Sequence, residues 1–317
     1  MHGIKRIPNK PDQKSAKEIN KINGYKLLNH KFKSLKASNE LTIESLNICN
    51  EILSQFNLDN STIINFKLRI LFNLRDELKP DDLVGLLVDE LNVNEQLLKT
   101  NLKFYSFYNY RKSLIKVLFD YLDTQDSKLF QLNSEFNFIA ELLKFDDRNF
   151  HVWNYKRFLL DFYYNESVIR GELKFTLNLL QSNFSNYSAW HHRCFIYKLL
   201  WSRGINIDEL KFELELVLNG LYTDPSDQSI WLYQSWLLSL IKENKLTDLL
   251  DNQLNLILQL DELEPNHILL LKSLLKFYNI YYSLTLNKDY IEKFNQVIES
   301  LIKVDEVNKF KYLESKI

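Results

Sequence analysis

Glycine and proline are scarce, with 6 and 5 copies among 317 residues. Hairpin turns and tight strand-to-helix turns rely on both, so a β-rich or doubly wound α/β fold is disfavoured. Cysteine is scarcer still. Cys49 and Cys194 lie far apart and no CxxC pair exists, which speaks against a zinc ribbon and a disulfide framework. No run of eighteen apolar residues occurs, so no transmembrane helix is expected. The amino end, Met1-His2-Gly3-Ile4-Lys5-Arg6, lacks the apolar stretch of a signal peptide. A cytoplasmic, reduced location is the expectation. Net charge is −1, so no global field favours nucleic acid or an anionic membrane. A sum near zero still leaves a local basic patch open. The 21 phenylalanines and 17 tyrosines could stack on bases, but their helical phase argues against single-strand binding.

What the chain does have is a repeat. A polar turn runs into an aromatic-centred helix start at Asn149-Phe150-His151-Val152-Trp153-Asn154-Tyr155-Lys156-Arg157 and again at Asn186-Tyr187-Ser188-Ala189-Trp190-His191-His192-Arg193. Weaker copies are Asp227 to Tyr233 and Phe104 to Arg111. Centred on Phe66, Tyr108, Trp153, Trp190, Trp231 and Leu270, the steps are 42, 45, 37, 41 and 39 residues. Such self-similarity marks stacked repeats, and the period is too long and irregular for tetratricopeptide units. Each unit reads as two helices. Phe136, Ile139, Ala140 and Leu143 make one apolar stripe, and Asn149 is a candidate cap for the next helix. Short loops force antiparallel pairs. The predicted fold is therefore all-α, a right-handed α-α superhelix of about six helical hairpins over residues 21–317, preceded by an extended arm over 1–20. The segment 123–127 reads as a linker that explains the long 45-residue step.

The tract Asn-Tyr-x-x-Trp-x-x-Arg at this spacing resembles the repeat of protein prenyltransferase α subunits. The resemblance covers about residues 40 to 285. The start Met-His-Gly-Ile-Lys-Arg is similar to the type II (Rab geranylgeranyl) branch of that family, and the tracts Asn186 to His191 and Thr223 to Trp231 resemble its short fungal form. The resemblance implies a heterodimer with a β subunit that holds zinc, the isoprenoid cavity and the substrate thiolate. It implies geranylgeranyl diphosphate as donor and Rab GTPases, presented by an escort protein, as acceptors. The residues show no zinc quartet in this chain: its six histidines and two cysteines lack ligand spacing.

Positive charge and hydrogen bonds at the leaving diphosphate are what an α subunit can add. The family pattern Lys-Asn-Tyr falls on Lys103-Phe104-Tyr105, and Asn-Tyr-His on Asn149-Phe150-His151. By resemblance, Lys103 contacts the diphosphate and Tyr105 and His151 support it. Read without the family, Lys103 is a solvated turn lysine and His151 a satisfied turn residue. Trp153, Trp190, Trp231, Tyr155 and Arg193 read as structural, locking hairpins, with arginines bonded to turn carbonyls or acidic caps. The resemblance also implies that His2 reaches the β-subunit zinc as an inhibitory ligand. Two rivals stay open: the α subunit of farnesyl and type I geranylgeranyl transferases, and a helical-repeat scaffold without enzymatic function.

Overall fold

The computed structural model describes residues 16–56 and 59–316. Among them lie fifteen α-helices and no strand. After α1 (Ala16–Ser38) come α2 (Ile43–Phe56), α3 (Ser61–Glu77), α4 (Pro80–Thr100), α5 (Tyr105–Tyr121), α6 (Gln125–Phe145) and α7 (Phe150–Phe162). Then follow α8 (Glu166–Ser182), α9 (Tyr187–Leu200), α10 (Ile207–Thr223), α11 (Gln228–Glu243), α12 (Thr247–Leu263), α13 (Ile268–Thr285) and α14 (Asp289–Val304). Helices joined by the turns into the motif pack on each other: α2 with α3, α4 with α5, α8 with α9, α10 with α11 and α12 with α13. A 3-10 turn and α15 (Lys309–Glu314) end the described chain. The helices form two compact units, one up to Phe158 and one from Leu159 onward.

Two sequence expectations need correction. Residues 16–20, read as part of the arm, already belong to α1. The 123–127 segment is not a long linker, because Thr124 caps α6 and the helix begins at Gln125. Its loop is no longer than the one between α7 and α8. The long step comes instead from helix length: α5 and α6 have 17 and 21 residues, whereas α7 and α8 have 13 and 17. Each is longer by about one helical turn.

The turns into the motif helices are built alike. Each spans four residues: 101–104, 146–149, 183–186, 224–227 and 264–267. In the first four the opening Asn or Asp closes the turn with its side chain. Asn101 Oδ1 accepts from Lys103 N (3.0 Å), Asp146 from Arg148 (3.3 Å), Asn183 from Ser185 (3.1 Å) and Asp224 from Ser226 (2.9 Å). The last residue caps the helix, as Asn149, Asn186 and Asp227 do. Four residues on, the tryptophan folds back over the turn. Its Nε1 donates to the carbonyl six residues earlier, from Trp153 to Asp147, Trp190 to Phe184 and Trp231 to Pro225, at 2.7–2.8 Å. The Tyr108 hydroxyl makes the same bond to Leu102 O at 3.0 Å. The indoles thus close their own turns, and their buried rings pack the hairpin.

A row of buried carboxylates holds the hairpins in register. Glu90, Glu135, Glu172 and Glu213 sit in α4, α6, α8 and α10 and are at most 6% exposed. Glu135 accepts a two-pronged bond from Arg111 on α5 (2.7 and 2.8 Å) and the Tyr155 hydroxyl from α7 (2.8 Å). Glu213 pairs with Arg193 on α9 and accepts from Tyr233 on α11 (2.7 Å). Glu90 pairs with Lys67 on α3 (2.7 Å) and accepts from Tyr110 on α5 (2.6 Å). Glu172 faces His192 at 3.1 Å. Burial, then the neighbouring glutamate, pushes the Tyr110, Tyr155 and Tyr233 phenols well above their usual range, so they remain donors. The arginines therefore bond mid-helix carboxylates and helix carbonyls (Leu91 O and Leu173 O), not turn carbonyls or acidic caps as the sequence suggested.

This geometry also resets the first copy. Lys67 plays the part of Arg111 and Arg193, and Asn60 caps α3 four residues before Ile64. Ile64, not Phe66, takes the tryptophan position.

A buried ion left without its partner is costly, about 3–5 kcal/mol. Glu213→Ala, which strands Arg193, should lower stability by that amount in urea unfolding. Arg170→Ala removes a half-exposed pair with Glu166 and Glu209 and should change it by no more than about 1 kcal/mol.

Candidate functional site

Lys103 sits in the turn before α5, Tyr105 opens α5 and His151 is the second residue of α7, and one buried asparagine brings the two helix starts together. Asn149 caps α7 through Oδ1, which accepts from His151 N (3.0 Å) and Val152 N (3.2 Å). Its Nδ2 donates to Leu102 O (3.4 Å), in the turn before α5. The Tyr108 hydroxyl bonds the same carbonyl. The start of α7 is thereby fixed beside the start of α5.

The result is an aromatic and imidazole cluster at two helix starts. The Tyr105 and His151 rings meet edge to face, with centroids 4.1 Å apart. Tyr108 stacks on His151 at 5.8 Å, and Phe150 flanks it at 5.4 Å. Tyr105 is 59% exposed and Lys103 is exposed, so both can meet a ligand. The α5 start has no side-chain cap, which leaves its first N–H groups available to an anion. Burial, and then the charge of Lys112, lowers the His151 pKa below its usual 6.5. At neutral pH the ring is uncharged and serves as a hydrogen-bonding group. Lys103 supplies the formal charge.

Arg157 and Lys112 lie near this cluster and did not stand out in the sequence. The signal that could have found them was the basic residue directly after the motif cation, at Arg111-Lys112 and Lys156-Arg157. His2 lies outside the described residues. Among the described residues no group of three His, Cys, Asp or Glu side chains is placed to hold a metal. Burial pushes both thiols, Cys49 and Cys194, up to about 12, which keeps them protonated at neutral pH. No described helix is long and apolar enough to cross a membrane.

Paired helices locked by buried carboxylates define a helical-hairpin repeat protein of the α-α class. Residues 132–163, 169–200 and 210–241 match the protein prenyltransferase alpha subunit repeat. Each match begins three residues before the buried glutamate and ends beyond the next tryptophan. A Candida albicans geranylgeranyl transferase type-2 subunit alpha is 30% identical over 99% of this chain and 97% of its own length. The Dictyostelium discoideum protein of that name is 29% identical over all of both chains. The human one is 32% identical over 75% of this chain, which spans 42% of that longer protein. The chain of a solved Candida albicans protein geranylgeranyltransferase-I complexed with GGPP shares the fold, with a TM-score of 0.68 over 92% of this chain and 89% of its own, at 21% identity. The chain belongs to the protein prenyltransferase alpha subunit family.

An NMR pH titration should place the His151 midpoint below 6.5, and Lys112→Gln should move it back toward that value. The sign follows from linkage. The folded state disfavours the protonated ring, so this group's contribution to stability weakens as pH falls below the unfolded pKa of about 6.5.

Proposed function

We propose that this chain is the α subunit of a Rab geranylgeranyltransferase, active only with a β subunit. The reaction moves a geranylgeranyl group from its diphosphate to the carboxy-terminal cysteine thiols of Rab GTPases, presented by an escort protein. Zinc belongs to the β subunit, where it would lower the thiol pKa and supply the nucleophile. A cytoplasmic location suits an acceptor that must stay a reduced thiol. The observation that carries this reading is the joining of the Lys103–Tyr105 turn to the His151 turn through Asn149. Family membership and the type-2 names of the relatives support the choice of reaction.

The chemistry asked of this chain is electrostatic. As the carbon–oxygen bond breaks, negative charge gathers on the leaving diphosphate. Fixed donors aimed at that charge bind the transition state more tightly than the ground state. Lys103 supplies an ammonium at the turn. Tyr105 supplies a hydroxyl from the first residue of α5. His151, uncharged and packed against Tyr105 and Tyr108, supplies a ring N–H and holds the tyrosine in place.

Co-purification with the β partner, followed by Rab prenylation with escort protein, tests the reading. Transfer is the expected result. Transfer to a CaaX peptide without escort protein would instead assign the chain to a farnesyl or type I enzyme, and absence of transfer with any β subunit would make it a scaffold. Lys103→Ala should lower the single-turnover rate by about 10²-fold, with the heterodimer intact on gel filtration.

A further inference from the structure

Three cations gathered at Phe158 have no acid to answer them, and one of them, Lys112, acts on His151. Lys112 and Lys116 on α5 point over the Phe158 ring on α7, with Nζ 5.3 and 5.6 Å from its centroid. Arg157 precedes that phenylalanine and is half-buried. Among the described residues, none of the three has a carboxylate within ion-pair distance. The motif cations Lys67, Arg111 and Arg193, by contrast, are all paired with glutamates. Burial lowers the proton affinity of Lys112, and the charges of Lys116 and Arg157 lower it further. Burial lowers that of Arg157 as well. Clustered cations, two of them partly desolvated, are in unfavourable company until an anion arrives.

Their placement says where the anion would lie. Tyr105, Asn109, Lys112 and Lys116 recur at steps of four, three and four, which makes one stripe along α5. From Tyr105 to Lys116 that stripe runs about 16 Å. His151 and Phe158, seven residues apart, follow it along α7. The stripe thus begins at the Tyr105–His151 contact and ends at the cations over Phe158.

We propose that Lys112, Lys116 and Arg157 form a second anion subsite, which takes a diphosphate group beside the Lys103–Tyr105–His151 cluster. The proposal rests on the reading of that cluster as a diphosphate site. A multivalent phosphate matches three convergent cations better than a single carboxylate. The group could be carried by the prenyl diphosphate or be free inorganic diphosphate, the released product.

The test uses the intact heterodimer with Lys112→Gln/Arg157→Gln. Inorganic diphosphate is titrated by calorimetry and added as an inhibitor in initial-rate assays. The variant should bind it at least tenfold more weakly. An equal rise in KM for the prenyl diphosphate marks a subsite for the ester, while weakened product inhibition alone marks one for the leaving group; either supports the proposal. Lys116→Gln, on an exposed side chain that the fold does not use, should act in the same direction by about two- to threefold, even where the double variant unfolds. Unchanged diphosphate affinity in a folded heterodimer overturns the proposal. So does dissociation of folded subunits, which would show these cations facing acidic residues of the partner. If Lys103→Ala slows turnover while diphosphate affinity ignores Lys112, Lys116 and Arg157, the inference alone falls; if Lys103→Ala is also silent, the underlying reading falls with it.

Discussion

The structure depends on a carboxylate that is shared. Glu135 takes the Arg111 guanidinium from α5 and the Tyr155 hydroxyl from α7, so one side chain on α6 fixes two motif helices at once. Glu213 does the same for α9 and α11, and Glu90 for α3 and α5. Arg111 reaches back as well, to Leu91 O on α4 at 2.8 Å, and Arg193 reaches Leu173 O on α8 at the same distance. Burying such ions adds little net stability, because desolvation offsets the attraction. What it does supply is registry. An apolar helix face tolerates sliding by a turn, but a two-pronged guanidinium pair does not. The fifth copy shows the alternative: Gln234 and Gln253 replace the ion pair, and Ser273 donates to Gln234 at 2.7 Å. The position stays polar and buried, without the charge.

The sequence carried more of this than its aromatic residues revealed. The paired helices and the Asn149 cap were legible from periodicity and from Asn before an apolar run. The shared glutamates were legible too, since Glu90, Glu135, Glu172 and Glu213 each stand eighteen residues before the next Tyr108, Trp153, Trp190 or Trp231. They escape notice because an acid in a helix ordinarily marks the solvated face. In α6 the apolar stripe Phe136, Ile139, Ala140 and Leu143 is close to the truth, yet Phe136 and Ala140 are only half-buried while Glu135 is fully buried. The first copy went astray for another reason. Ile64 and Phe66 are both plausible knobs two residues apart, and only the Asn60 cap or the Lys67 pair decides between them.

At the candidate site, Lys103, Tyr105 and His151 could be named in advance only through likeness to a family. Nothing in their spacing brings them together. Their meeting is made by Asn149, which caps its own helix with one end and holds the preceding turn with the other. A capping asparagine is visible in sequence; the second bond of its amide is a tertiary fact. The cations Lys112 and Arg157 lie further along the same two helices, where a basic residue directly after the motif cation looks like ordinary surface charge.

The hairpins vary at one end and not at the other, and this accounts for where the chemistry can be. Every turn into a motif helix has four residues, and every shared glutamate stands at a fixed distance from the next ring. The loops at the opposite ends run from two to six residues, and the helices differ in length by about one turn there. Changes in repeat length are therefore absorbed away from the four-residue turns. Side chains on those turns keep the same position relative to the buried ions from copy to copy. The lysine in one turn and the histidine just after the next stand on backbone that the Asn101 and Asn149 side chains fix. Such fixed geometry is what a site shared between neighbouring repeats requires.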